Sequence, residues 1–229
     1  MIQVTLLLKM KFKAEEDLIK VLKKKLKETF FRENIEIFEE VSLGYGIADI
    51  VISDINNRNI ENFSVGESLT KSDINIYIII NKNPNVSFDN ILDTTRTPRK
   101  AILKSLRKLI NRGLVKQKDD SFSIQEQYQL PFKNNFAIEA KLKDWKRALS
   151  QAHRYKWFAE YSYVVLDAHY SQPAIQNIGL FRKFNIGLAT ITPDGEFTRI
   201  FNPIRQKPLD ATMQILFSEK IINDYSIFK

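Results

Sequence analysis

Gly46-Ile47-Ala48-Asp49-Ile50-Val51-Ile52 sets one carboxylate inside an otherwise apolar, β-type run. Taking a charge out of water is costly unless a partner compensates it, so Asp49 marks a place where the chain accepts that cost. The preceding run, Asn34 to Ser42, is also β-type, and Gly44, Tyr45 and Gly46 lie between the two. Two glycines supply the positive-φ positions of a tight turn, so the pattern predicts a hairpin. Antiparallel pairing about Gly44 and Tyr45 puts Glu40 opposite Asp49.

A second apolar strand, Phe136 to Leu142, contains Glu139 and Lys141. Alternation places these two side by side on one face, with Phe136, Ile138 and Ala140 on the other. Carboxylates of Asp49 and Glu139 converging on one point suit a hard divalent cation, because Mg2+ takes a few carboxylate oxygens and keeps several waters. Lys141 beside them would orient a water or help deprotonate it, with the metal stabilising charge on a scissile phosphate. These residue types in this pattern describe a phosphodiesterase. Taken alone, a Glu-x-Lys triplet in a chain that is 27% charged is equally a surface ion pair. The apolar context of both acids and the helix expected directly after Lys141 argue against that plainer reading.

Working outward, Ala14 to Phe31 spaces Leu18, Val21, Leu22, Leu26 and Phe30 as the buried stripe of an amphipathic helix. The polar, Asn-rich segment from Asp54 to Asn62 reads as a linker. Beyond it, Ser72 with Asp73 would cap a helix through Asn81, a short helix follows Ser87, and Thr97-Pro98 opens a long one through Asn111 that Gly113 ends. Leu114 to Gln117 and Phe122 to Ile124 flank Lys118-Asp119-Asp120-Ser121 as a short two-stranded wing. Ile74 to Ile80 is β-branched enough to suit a strand as well. After the Glu139 strand come a helix from Asp144 to Tyr161, a buried strand Tyr163 to Leu166, a helix Ile175 to Phe184, a hairpin of Gly187–Thr192 with Phe197–Ile200, and a helix Leu209 to Asn223. Trp145, Ala148, Leu149, Ala152 and Ala159 form the core stripe of the Asp144 helix.

The chain carries a net charge of +8, and nine basic residues with no acid fall between Arg96 and Lys118. Charge so concentrated attracts a polyanion, and phosphate neutralisation dominates non-specific nucleic-acid affinity. Arg96, Thr97, Arg99, Lys100, Lys104, Arg107, Lys116 and Lys118 are the expected DNA contacts, on a third helix and wing placed as in a winged helix-turn-helix domain, which Val65 to Gln125 resembles. Lys143, Lys146, Arg147, Arg154 and Lys156 either extend that surface or are solvated helix charges, and His153 is exposed or a phosphate contact. The absence of Cys, with His153 and His169 as the only histidines, excludes a disulfide scaffold, a thiol nucleophile and a Cys/His zinc site. No apolar run approaches the ~20 residues of a membrane span, and Met1 to Leu8 lacks a basic n-region, so the expectation is a cytoplasmic protein with no membrane partner.

Gly46 to Val51, Glu139-Ala140-Lys141 and Gln151-Ala152-His153-Arg154-Tyr155 resemble the three signatures of the PD-(D/E)XK, or restriction-endonuclease-like, nuclease superfamily, the last corresponding to the QxxxY element of its RecB- and Cas4-like branches. The resemblance implies an α/β fold with an αβββαβ core, a mixed central sheet flanked by helices, interrupted by the winged-helix insertion. The expected division is 1–54 and 130–229 for the core, the second part ending in a hairpin and helix, with 55–129 inserted. It implies Mg2+ or Mn2+ on Asp49 and Glu139, Lys141 assisting the attacking water, and Gln151 and Tyr155 on the following helix near the site or DNA. Ala48 stands where the family usually has Pro. Some branches add a Glu on the first helix, for which Glu15, Glu16 and Glu28 are all candidates; Glu40 is another by hairpin pairing. The implied activity is a metal-dependent DNA endonuclease acting on duplex DNA, with a homodimer supplying two active sites for double-strand cutting. The competing readings are a non-enzymatic DNA-binding regulator with a relic nuclease-like core, and a nuclease for branched or single-stranded nucleic acid, including RNA.

Overall fold

The structure, a computed structural model, describes residues 11–29, 34–44, 46–56, 59 and 67–225. Met1 to Leu8, Phe30, Phe31, Tyr45, Val65 and most of the expected linker lie outside the described residues. In chain order the first elements are α1 (Glu15–Thr29), β1 (Ile35–Ser42) and β2 (Ile47–Ile55). Next come α2 (Lys71–Lys82), β3 (Val86–Ser87), α3 (Phe88–Thr95), α4 (Arg99–Asn111), β4 (Val115–Lys118) and β5 (Ser121–Ile124). The chain continues with β6 (Phe132–Lys141), α5 (Trp145–Tyr155), β7 (Tyr161–Asp167), α6 (Gln172–Gln176), α7 (Ile178–Phe184), β8 (Gly187–Ile191), β9 (Phe197–Phe201) and α8 (Ala211–Tyr225). No helix among the described residues is long and apolar enough to cross a membrane.

The chain divides into two compact units, residues 1–55 with 132–209 and residues 56–131 with 210–229. The first is α/β, with a mixed six-stranded sheet in the order β1-β2-β6-β7-β8-β9. β6, β7 and β8 run parallel to one another, and β1, β2 and β9 are antiparallel to their neighbours. The parallel strands read as near-continuous apolar runs, as expected of positions covered on both faces. Leu18, Leu22 and Leu26 recur on one side of α1 and close over Ile50, Ile52, Ile138, Ala140, Val165, Ala189 and Ile191. The alternate residues, Asp49 and Glu139 among them, belong to the opposite face, where α5 packs on β6 and β7.

Several boundaries differ from the sequence reading. β6 begins four residues earlier than Phe136, continuing the pairing with β2 to Ile55. The expected helix to Tyr161 stops at Tyr155, because the following turn closes on Phe158 and Ala159 and Tyr161 is needed opposite Phe136 in the sheet. Ile175 to Phe184 is two short helices, interrupted at Asn177.

In the second unit the β-branched run from Ile74 is helical. A capping box explains the choice: Thr70 accepts from the Asp73 amide while the Asp73 carboxylate accepts from the Thr70 amide, so the true cap lies two residues before Ser72. Ile74, Ile76, Tyr77 and Ile80 then join Ile91, Ile102, Leu106, Leu109, Val115 and Phe122 in one core. β4 and β5 form the expected two-stranded element, and β3 adds a third strand that the sequence did not signal. Helix α8, expected with the first unit, belongs to the second: Ile215 enters this core, and Glu219 accepts from Arg112, Tyr128 and the Leu69 amide.

Candidate active site

The β1–β2 ladder pairs Glu39 with Ile50 and Val41 with Ala48, which sets Glu40 opposite Asp49 as the turn arithmetic requires. The β2–β6 ladder runs out to Ile50 opposite Ile138. One step further the same register sets Asp49 opposite Glu139, on one face of the sheet. Instead of continuing the backbone ladder, the Asp49 carboxylate accepts from the Ala140 amide at 2.7 Å. A side chain thus replaces a backbone acceptor where the two strands part, and that bond fixes the carboxylate beside Glu139 and Lys141.

Lys141 is the centre of the cluster. Its ammonium donates to Glu15 at 3.0 Å and lies 3.1 Å from Glu139 Oε1 and 4.0 Å from Asp49 Oδ2. Three carboxylates therefore surround one cation. Burial raises the Asp49 carboxyl above its ordinary value, against the opposing Ala140 hydrogen bond and Lys141 charge. Glu139, with no exposed surface, is raised by burial and next by the Asp49 charge. For Lys141 burial acts to lower the value, but the Glu15 hydrogen bond and the Asp49 and Glu139 charges outweigh it and hold the ammonium above the usual lysine range.

Tyr155, on the buried face of α5, donates to the Ile47 carbonyl at 2.6 Å and also contacts Glu139 Oε2. A phenol has one proton, so when it points at Ile47 the Glu139 contact is satisfied only by a proton on the carboxyl. Burial pushes the Tyr155 hydroxyl far above its ordinary value, reinforced by the Glu139 charge, so it stays a neutral donor. Gln151 Oε1 is buried without a hydrogen-bond partner among the described residues, whereas the buried Glu139 Oε1 faces the Lys141 ammonium at 3.1 Å. Gln151 is one turn from Tyr155 on α5.

The structure thus brings Asp49, Glu139, Lys141 and Tyr155 together, and of the first-helix acids it selects Glu15. Glu16 and Glu28 are exposed elsewhere on α1 and make no recorded contact with Lys141, while Glu40 is exposed opposite Asp49 and acts on it only through its charge. The sequence carried no signal for the Ile47 carbonyl as a Tyr155 acceptor, nor for the Arg154 guanidinium, which lies 3.6 Å from where a Cβ on Gly46 would stand.

The buried acids test whether a divalent cation fits. Among the described residues no group of three or more His, Asp or Glu side chains is spaced to hold a metal unaided. Mg2+ is commonly bound by one or two carboxylates with retained waters, a demand that Asp49 and Glu139 meet, since with Glu15 they outnumber the single lysine between them. The donor set is all oxygen, which suits Mg2+ or Mn2+ and not a thiophilic ion.

In the second unit, Arg96, Arg99, Lys100, Lys104, Arg107, Lys116 and Lys118 are all exposed, and Thr97 is half-buried. Arg99 lies 4.5 Å over the Phe88 ring. Lys108 and Arg112, counted in the same basic run, turn inward: Lys108 is 3.0 Å from Asp73 and Arg112 is 2.8 Å from Glu219. Neither a protein-family model, nor a curated protein, nor a solved structure matches the chain.

Proposed function

We propose that the protein is a Mg2+- or Mn2+-dependent deoxyribonuclease, with a restriction-endonuclease-like α/β unit that cuts and an inserted winged helix-turn-helix unit that holds duplex DNA. The observation that carries this reading is the meeting of Asp49 and Glu139, both raised above their ordinary values, within 4.0 Å of one ammonium. Three acids around one base are a poor structural solution and a good cation site.

Asp49 and Glu139 would hold the metal, which when bound neutralises charge on a scissile phosphate and acidifies water. Lys141, fully protonated at neutral pH, orients water and offsets negative charge beside the reacting phosphate. Tyr155 fixes the Glu139 carboxyl against the β2 backbone and keeps its face toward Asp49. Glu15 restrains the Lys141 ammonium from the other side. A non-enzymatic DNA-binding regulator is the second reading, favoured by the seven exposed basic residues on α4, its flanks and the β4 strand, which would bind DNA whether or not the acids do chemistry.

Nicking of supercoiled plasmid separates the two. Wild type is expected to nick in Mg2+ or Mn2+ and not in EDTA. Asp49→Ala, Glu139→Ala and Lys141→Ala lose nicking while retaining duplex binding in a gel-shift assay. Equal turnover by wild type and these variants defeats the nuclease reading and leaves the regulator.

A further inference from the structure

The face of α5 opposite Tyr155 borders a groove of about 340 Å³ lined by Lys146, Leu149, Ser150, His153, Arg154 and Phe184. No acid lines it. Lys183, the neighbour of Phe184 in the chain, has its ammonium 5.7 Å from the Phe184 ring. Lys146, Arg154 and Lys183 are exposed, and none has an acidic partner among the described residues. That contrasts with Lys108, Arg112 and Lys141, each tied to a carboxylate. Burial and the Lys156 charge lower His153, so it presents a neutral imidazole to the groove.

The groove ends beside the acid cluster. Arg154 packs against Gly46, three residues before Asp49, its guanidinium 3.6 Å from where a Cβ at 46 would stand, an ordinary contact distance. Its neighbour Tyr155 reaches Glu139 and the Ile47 carbonyl from the same turn of helix. From Lys146 to Arg154 is eight residues, about 12 Å of helix, which matches the rise of roughly three to four nucleotides.

We propose that this groove binds successive backbone phosphates of the nucleic-acid strand being cut, a second contact surface on the α/β unit, distinct from the basic face of α4. The inference rests on reading the acid cluster as a phosphodiester-cleaving site. Lys146 and Lys183 hold the outer phosphates, Ser150 and His153 offer neutral hydrogen bonds between them, and Arg154 holds the phosphate next to the catalytic hairpin.

The test is the salt dependence of binding by the full chain in EDTA, where cleavage plays no part, with a fluorescein-labelled DNA duplex of about 30 base pairs as probe. Combined Lys146→Gln, Arg154→Gln and Lys183→Gln is expected to reduce the slope of log affinity against log salt by about 2 to 3, and with it affinity at 0.1 M salt by roughly a hundredfold to a thousandfold, since each lost phosphate contact removes ~0.9 from the slope. Lys20→Gln, Lys24→Gln and Lys27→Gln together remove the same charge from α1, across the sheet, and leave the slope unchanged. An unchanged slope in the groove variant, an equal loss in the α1 variant, or no duplex binding by wild type overturns the proposal. The nuclease reading fails separately, if wild type binds with its full slope yet never nicks plasmid.

Discussion

Both units bury charge, and the cluster around Lys141 does it differently from the cluster around Lys108. In the second unit the Asp73 carboxylate is filled: it accepts from the Thr70 amide and hydroxyl and from Ser105, and pairs at 3.0 Å with Lys108, which also lies 3.2 Å from the exposed Glu67. Burial pushes Asp73 up, but these hydrogen bonds win and hold it below its ordinary value. Glu219 is likewise filled by Arg112, Tyr128 and the Leu69 amide. In the first unit three acids share one lysine, and Asp49 and Glu139 are both raised above their ordinary values. A satisfied cluster specifies a fold; an unsatisfied one is tolerated where a ligand completes it.

The largest expected effect breaks the comparison on the catalytic side. Asp49→Asn keeps the shape and removes the charge, and plasmid nicking should fall at least about a thousandfold, on the order of 4 kcal/mol of lost transition-state stabilisation. Asp73→Asn, the matching change in the other cluster, should leave the nicking rate of the folded protein within a few-fold. Next is Lys108→Met, which strands a buried carboxylate and should destabilise the second unit by about 3–5 kcal/mol, measured by urea unfolding.

The pH dependence differs in sign between the clusters. Asp73, lowered on folding, contributes stability that is present above its unfolded value of 3.8 and lost as pH falls through the lower folded value. Wild type should therefore lose its advantage over Asp73→Asn only in strong acid. Glu139, raised on folding, costs stability at neutral pH, and that cost disappears as pH falls through the folded value toward 4.5. Thermal melts of wild type and Glu139→Gln should converge over that range; a gap that widens on acidification contradicts the assignment. The smallest effect is expected for Tyr155→Phe, which removes one hydroxyl: roughly 1 kcal/mol of stability and about a tenfold loss of nicking, with duplex binding unchanged.

Much of this contrast was legible in the chain. Alternation alone put Glu139 beside Lys141, and a turn centred on Gly44 and Tyr45 put Glu40 opposite Asp49, because the centre of a hairpin turn sets the register of its strands. Choosing Glu15 over Glu16 was not legible, since adjacent helical positions differ by about 100° and the phase depends on where α1 docks. Lys108 and Arg112 read as part of a DNA-facing run because their partners are remote in sequence: Asp73 lies on α2 and Glu219 on α8. For the same reason α8, expected with the first unit, lies in the second, as its apolar spacing says that it packs and not against what. The Ile74 run was ambiguous until the Thr70 and Asp73 capping box decided it.

Glu139→Gln, assayed twice on one preparation, tests the central claim most directly. If Glu139 is kept for chemistry at the expense of the fold, the variant has a higher urea midpoint than wild type, with an unfolding free energy greater by about 1 kcal/mol, and has lost plasmid nicking. A lowered midpoint with nicking intact would make Glu139 a structural residue and contradict the account.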